Sequence, residues 1–285
     1  MEDIKNYEGW DTKEHLDVFN RWNKLSNKTF NFIYSNFQEN RYLLDILQKK
    51  RAKNIIDIGC ATGTTYRLID NKINKKFFNY KGYDISKTAV NFAKNFHNKN
   101  FFYNIEDSNY ENLPSDEREI IYTRDTIMHQ VDPFDFLKKL ISLTSKFLII
   151  RLRTRDNGKT EWDISRSKQR HYDKYWMPYI VININELVDL LLNYRKPKCI
   201  KINRSYLTLG GETGKYLPED LFYSHAGGSE TSVCIEYDQN INIEPKIDYT
   251  EILEGQKFLI KNKKKQYFYR IIDFLKIKKK LLKYY

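Results

Sequence analysis

Ten residues, Asn54-Ile-Ile-Asp-Ile-Gly-Cys-Ala-Thr-Gly63, constrain this chain more than any other stretch. A short apolar run stops at an acid and turns through small residues, as a buried strand does when it hands over to a helix. The small side chains let the backbone approach a ligand closely, and the helix start just beyond presents free N–H groups and a positive dipole end. By itself the turn says only that something polar or anionic docks there. The pattern then repeats down the chain. A second strand at 81–85 leads into a helix at 86–96 with Ser86 as its N-cap. Strands are predicted at 101–103, 120–123 and 147–152, and helices at 133–143 and 184–192. Two β-rich runs, 198–203 and 231–237, complete the core. Strands alternating with helices imply parallel pairing with right-handed crossovers, hence an α/β doubly wound, mostly parallel sheet.

The flanks read differently. Between Leu16 and Leu47 apolar residues recur at helical spacing, which predicts two or three helices and an N-terminal helical cap over 1–50. The α/β domain is placed at 51–240, with insertions 154–180 and 205–230 forming a lid, and 241–285 as a basic amphipathic C-terminal tail whose residues 261–285 are expected to be helical. The net charge of +12 invites a nucleic-acid reading, but residues 261–285 hold ten Lys or Arg against one Asp and so carry most of it. The body of the chain is close to neutral, and nucleic acid is not the expected partner. Cys60, Cys199 and Cys234 show no paired spacing, which fits a reducing compartment, and no metal is expected. The acidic, polar start of the chain and the lack of 18 uninterrupted apolar residues predict a cytoplasmic protein.

Asp84 closes the second strand, where a carboxylate can accept both hydroxyl protons of a ribose lying over the first turn. Here the sequence resembles the class I, Rossmann-like, S-adenosylmethionine-dependent methyltransferases over residues 54–153. Asp57-Ile-Gly-Cys-Ala-Thr-Gly63 is similar to their first motif, Gly82-Tyr-Asp-Ile-Ser86 to their second, and Glu106-Asp107 to the acidic turn that meets adenine. Tyr122 to Pro133, with His129 and Asp132-Pro133, is similar to the fourth. The resemblance implies a seven-stranded sheet and S-adenosyl-L-methionine as cofactor. It implies Asp57, Gly59, Cys60, Ala61, Gly63, Asp84 and Ile85 around that cofactor, with Glu106 and Asp107 beside them, while Arg124 at the end of the fourth strand is placed to face either the cofactor or an anionic acceptor. Ala61 departs from the family, which often has glycine there, and Glu106 and Asp107 both stand as the adenine contact. A dehydrogenase would need G-x-G-x-x-G, which the turn lacks.

Methyl transfer from a sulfonium is an in-line displacement, so the protein must align the acceptor and remove its proton. His129 and Asp125, just past the fourth strand, are the candidate bases. Arg151, Arg153 and Arg155 alternate along the fifth strand, which puts three guanidinium groups on one side, where they can fork onto a phosphate or carboxylate. Tyr172, Tyr175 and Trp176 belong to an aromatic cluster in the insertion that suits sugars or rings. Together these predict O-methylation of a polar, anionic acceptor: a nucleotide sugar, a phosphorylated sugar or a surface-glycan unit in glycan biosynthesis. The tail 261–285 is expected to reach an anionic membrane surface peripherally, on its inner face. The competing functions are an RNA methyltransferase and a cofactor-binding partner subunit without turnover.

Overall fold

The computed structural model describes residues 7–108, 110–171, 175–206, 215–216, 228–238 and 244–252. Three helices come first: α1 (Lys13–Asn23), α2 (Asn27–Tyr34) and α3 (Gln38–Gln48). Thr12 and Ser26 cap the first two, each accepting from a backbone N–H three residues on. The repeating unit then begins with β1 (Asn54–Ile58), α4 (Thr64–Lys72), β2 (Asn79–Asp84), α5 (Lys87–His97) and β3 (Phe102–Asn104). It continues with β4 (Ile120–Arg124), a 3-10 turn at Ile127–His129, α6 (Pro133–Leu143) and β5 (Phe147–Arg155). Ser86 caps α5 as expected, and Asp132 caps α6 with Pro133 in its first turn, which accounts physically for the Asp-Pro pair.

After β5 come β6 (Lys168–His171), β7 (Tyr175–Pro178), β8 (Ile182–Asn183), α7 (Ile184–Asn193), β9 (Cys199–Tyr206), β10 (Lys215–Tyr216), β11 (Ser229–Glu236) and β12 (Lys246–Ile252). The main sheet runs β12-β9-β11-β5-β4-β1-β2-β3, with β8 added beside the end of β5. β3, β2, β1, β4 and β5 are mutually parallel, whereas β11 lies antiparallel between β5 and β9. Parallel order reverses at β1, so the C-terminal ends of β1 and β4 open the crevice where ligands of such sheets bind.

The expected mostly parallel, doubly wound sheet is present, with nine strands where seven were expected. One addition is β8. The other, β12, falls inside 241–285, the interval assigned to the basic C-terminal tail, ahead of the stretch expected to be helical. Ile247-Asp-Tyr-Thr250 alternates with period two, and Lys246–Ile252 pairs parallel to β9 at the end of the sheet, as an edge strand. Residues 253–285, including the basic tail expected at the membrane, lie outside the described residues. The two insertions join in one small antiparallel sheet, β10-β6-β7.

The core lies on both faces of the sheet. One face buries Ile56, Ile121, Leu148 and Ile150 against α6 and α7 through Leu137, Leu140 and Leu187. The other buries Ile55, Tyr122 and Ile149 with Leu68 and Ile69 of α4, together with Phe30, Tyr34, Leu43 and Leu47. The N-terminal helices therefore share the sheet's core. Arg67 of α4 fastens them by donating to the carbonyls of Trp22, Asn23 and Leu25. A charge-assisted fork on carbonyls at a helix end suits such a corner.

Candidate functional site

A cavity of about 490 Å3 opens at the C-terminal ends of β1, β2 and β4, within the range of small-molecule sites. Its floor is the turn after β1. Gly59 has φ +81° and Gly63, the N-cap of α4, has φ +74°, both in the left-handed region. A Cβ on Gly63 would stand 2.8 Å from His97 Nε2 and 2.9 Å from Phe102, and a Cβ on Gly59 would collide with the Thr126 hydroxyl. Ala61 has φ +45°, so the residue that departs from the glycine-rich pattern sits in a conformation disfavoured for any side chain. The backbone N–H groups of Gly59 and Cys60 both donate to the Tyr83 carbonyl, which ties the turn to β2.

Two buried acids frame the turn. Asp84 accepts from the N–H of Ala61 at 2.7 Å and of Ser86 at 2.9 Å, and it lines the cavity. Burial raises its pKa, and the backbone donors pull it back. Asp57 also lines the cavity and accepts from the Tyr80 hydroxyl at 2.5 Å. Burial pushes it up to about 7, against the pull of Tyr80 and Thr65. Cys60 is buried and its thiol is raised far above the ordinary range by that burial, so it packs and is not a nucleophile. Of the adjacent acids in the next turn, Glu106 lines the cavity, while Asp107 pairs with Lys87 at 3.7 Å away from it. The cavity wall thus brings together Asp57, Gly59, Cys60, Ala61, Asp84, Ile85, Glu106, Arg124, Asp125 and His129.

This donor set fits S-adenosyl-L-methionine. The turn lines the cavity with the small residues Gly59, Cys60 and Ala61, and Asp84 has acceptor capacity left for ribose hydroxyls after its two backbone bonds. Glu106 offers a carboxylate on the same wall, and Asp57 a carboxyl acceptor, to a cofactor that carries an ammonium and a sulfonium.

The far wall departs from expectation. Asp125 sits at φ +57°, and its carboxylate meets Arg151 at 2.8 Å, Arg153 at 3.0 Å and Arg124 at 3.7 Å. Burial opposes its ionisation, yet the three guanidinium groups hold it far below the usual carboxylate range. A carboxylate held that low is a poor proton acceptor, which removes Asp125 as a general base. Glu230 joins Arg151 at 2.6 Å to Arg153 at 3.0 Å, and Glu39 meets Arg124 at 2.9 Å. Glu39, Asp125, Glu230, Arg124, Arg151 and Arg153 therefore form a cluster of three negative and three positive charges. The guanidinium forks expected to seize an anionic acceptor are occupied by the chain's own acids. Arg155 donates to the Asn157 carbonyl, and none of Arg151, Arg153 and Arg155 lines the cavity. The reason is burial: cations inside the sheet are stable only when paired. Tyr175 and Trp176 also lie off the cavity, with Trp176 under Lys168 at 4.8 Å, and Tyr172 is outside the described residues.

His129 keeps its place. Its Nδ1 is 2.8 Å from the Pro178 carbonyl, at the end of the insertion hairpin. A carbonyl can only accept, so Nδ1 carries the proton and Nε2 the lone pair. The sequence reading missed the groups facing it: Trp10, His15, Phe19 and Tyr34, all from the N-terminal segment, and Phe136 of α6. His15 and Phe19 stand four apart on α1, but that spacing reads as ordinary helix packing. Nothing local in sequence points Trp10 at a site more than a hundred residues downstream. Among the described residues no group of three His, Cys, Asp or Glu is placed to hold a metal ion, and no helix is long and apolar enough to cross a membrane.

Comparison with known proteins gives a direct match at the family level. Residues 49–209, more than half of the chain, match the family model described as a methyltransferase domain. No curated protein matches the sequence. Among solved structures, magnesium protoporphyrin IX methyltransferase from Synechocystis PCC 6803 with bound SAM is similar at 14% identity and TM-score 0.43, over 80% of this chain and 93% of that one. The plantazolicin methyltransferase BpumL, in complex with a pentazolic desmethylPZN analog and SAH, is similar at 15% identity and TM-score 0.48, over 81% and 94%. The N-terminal domain of EvdMO1, in the presence of SAH and D-fucose, is similar at 11% identity and TM-score 0.46, over 71% and 84%.

Proposed function

This chain belongs to the methyltransferase-domain family and is an S-adenosylmethionine-dependent methyltransferase, and we propose that it methylates a hydroxyl oxygen of a small acceptor with His129 as the proton acceptor. The observation that carries the second half is the bond from His129 Nδ1 to the Pro178 carbonyl, which leaves the basic lone pair on Nε2 of a ring in the cavity wall. When bound, the cofactor would supply an electrophilic methyl group on a positively charged sulfur, which would leave as the neutral thioether once the methyl is on the acceptor oxygen.

The chain's own residues do the rest. Asp84, Asp57 and the turn at 59–63 bind and orient the cofactor, with Glu106 on the same wall. His129 takes the hydroxyl proton as the oxygen becomes an ether, and it is returned to neutral by loss of that proton to solvent. Asp125 stays ionised throughout and does not compete for the proton. The expected negative charge of the acceptor has lost its motivation, because Arg151 and Arg153 are spent on Asp125 and Glu230.

A screen of hydroxyl- and amine-bearing acceptors with methyl-labelled cofactor, read by product mass, tests the reading. His129→Gln is expected to lower kcat by roughly 100- to 10,000-fold, to leave cofactor affinity within about twofold, and to abolish the acid limb of the pH–rate profile. Label appearing on amines alone, or an unchanged kcat in His129→Gln, refutes it.

A further inference from the structure

The acceptor side of the cavity has a composition of its own. Trp10, His15 and Phe19 of the N-terminal segment line it together with His129, Tyr34 and Phe136. The rings are in mutual contact: Trp10 meets His15 at 4.9 Å and His129 at 4.8 Å between centroids, and His15 meets Phe19 at 4.5 Å. Charge on this wall is confined to Arg124 and Asp125, both members of the neutral cluster. Gln130 adds an amide whose nitrogen already donates to the Thr126 carbonyl.

The segment that carries Trp10 is anchored on both sides. Asp11 accepts from the Ser86 hydroxyl at 3.0 Å and the Thr88 N–H at 2.7 Å, at the start of α5. Gly9 presses on the insertion hairpin so closely that a Cβ there would stand 2.5 Å from Met177 and 2.9 Å from Tyr175. Trp10 is therefore held in place between the two flanks of the crevice.

From this wall, and resting on the proposed hydroxyl methylation by His129, we infer that the acceptor is an uncharged hydroxylated aromatic ring, a phenol or catechol, seated against Trp10 and Phe19 with its hydroxyl at His129. A flat ring gains edge and face contacts with such neighbours at little polar cost. A sugar lying on Trp10, Phe19 and Phe136 would bury hydroxyls against ring faces that offer them no partner, and each unpaired one is penalised. A phosphate or carboxylate would meet a single arginine, Arg124, already held by Glu39, Asp125 and the Tyr34 hydroxyl. His15 contributes shape and a ring edge, and Trp10 is the specificity-determining residue.

The test uses the full chain loaded with S-adenosylhomocysteine and two probes, catechol and UDP-glucose, titrated by calorimetry. Catechol binds and UDP-glucose does not. Trp10→Ala weakens catechol by about tenfold or more, in line with the loss of a stacked aromatic contact, Trp10→Phe restores most of it, and S-adenosylhomocysteine affinity stays within about twofold in both. Intact binding of that product also certifies the fold of each variant. The inference is overturned if UDP-glucose binds in preference, if neither probe binds, or if Trp10→Ala leaves catechol affinity unchanged. Failure of S-adenosylhomocysteine itself to bind would strike the methyltransferase reading instead, and methylation of catechol undiminished in His129→Gln would strike only the base.

Discussion

On one side of the cavity the wall comes from a nearly continuous stretch, Asp57 to Glu106, in which strand, turn and helix succeed one another and each site residue is set by its own neighbours. On the other side it comes from pieces far apart in the chain: Trp10 and His15 from the N-terminal segment, Arg124 to Gln130 after β4, and Phe136 from α6, backed by Glu39 and Glu230. The first wall is a local device for a fixed cofactor. The second is a tertiary assembly whose chemistry depends on which distant groups meet. The contrast teaches where a chain of this fold keeps its constants and where it varies.

The largest expected effect breaks the second wall from beneath. Arg151→Met removes one of the two cations that Asp125 and Glu230 share, leaves Arg153 alone between two buried acids, and should destabilise the protein by about 3–5 kcal/mol, seen as a lowered Tm in a thermal melt. If Tm holds, the cluster is not a structural unit. Next comes Asp57 in the first wall. Its folded pKa, near 7, lies above the unfolded value, so its contribution to stability is fully present below about pH 4 and is lost as pH rises through 7. Melts of the wild type and Asp57→Asn across about pH 4–8 should therefore diverge by a few kcal/mol at most, the wild type losing ground as pH rises.

A smaller effect separates binding from folding. Asp84→Ala should weaken S-adenosylhomocysteine by about 1.5–3 kcal/mol in calorimetry, the size of hydrogen bonds to a charged group, while catechol binding to the saturated protein persists. Loss of both together would mean that the two walls are not independent. The smallest change sharpens the turn: Ala61→Gly should raise stability by about 1 kcal/mol, because the φ of +45° suits glycine.

Legibility in sequence obeys the same division. The strand, turn and helix from Asn54 to Lys72, the cap at Ser86 and the acid at Asp84 are readable because each depends on residues within a few positions. Glu106 and Asp107 are not separable, since which of two neighbours faces a cavity is decided by the turn's exit from β3 and by Lys87 on α5. The alternation of Arg151, Arg153 and Arg155 is real, but its use is not visible: Asp125 and Glu230 arrive from other strands and claim the first two. β12 is hidden by the lysine-rich sequence beyond it, although its own period-two pattern is present.

The cluster of three acids and three arginines has a consequence for how molecules arrive. A set of charges that sums to zero has no monopole, and its field dies away within a few ångströms while that of a lone ion reaches out to the Debye length. Encounter with an uncharged acceptor at this face is then governed by diffusion and shape, and its rate should be almost indifferent to added salt.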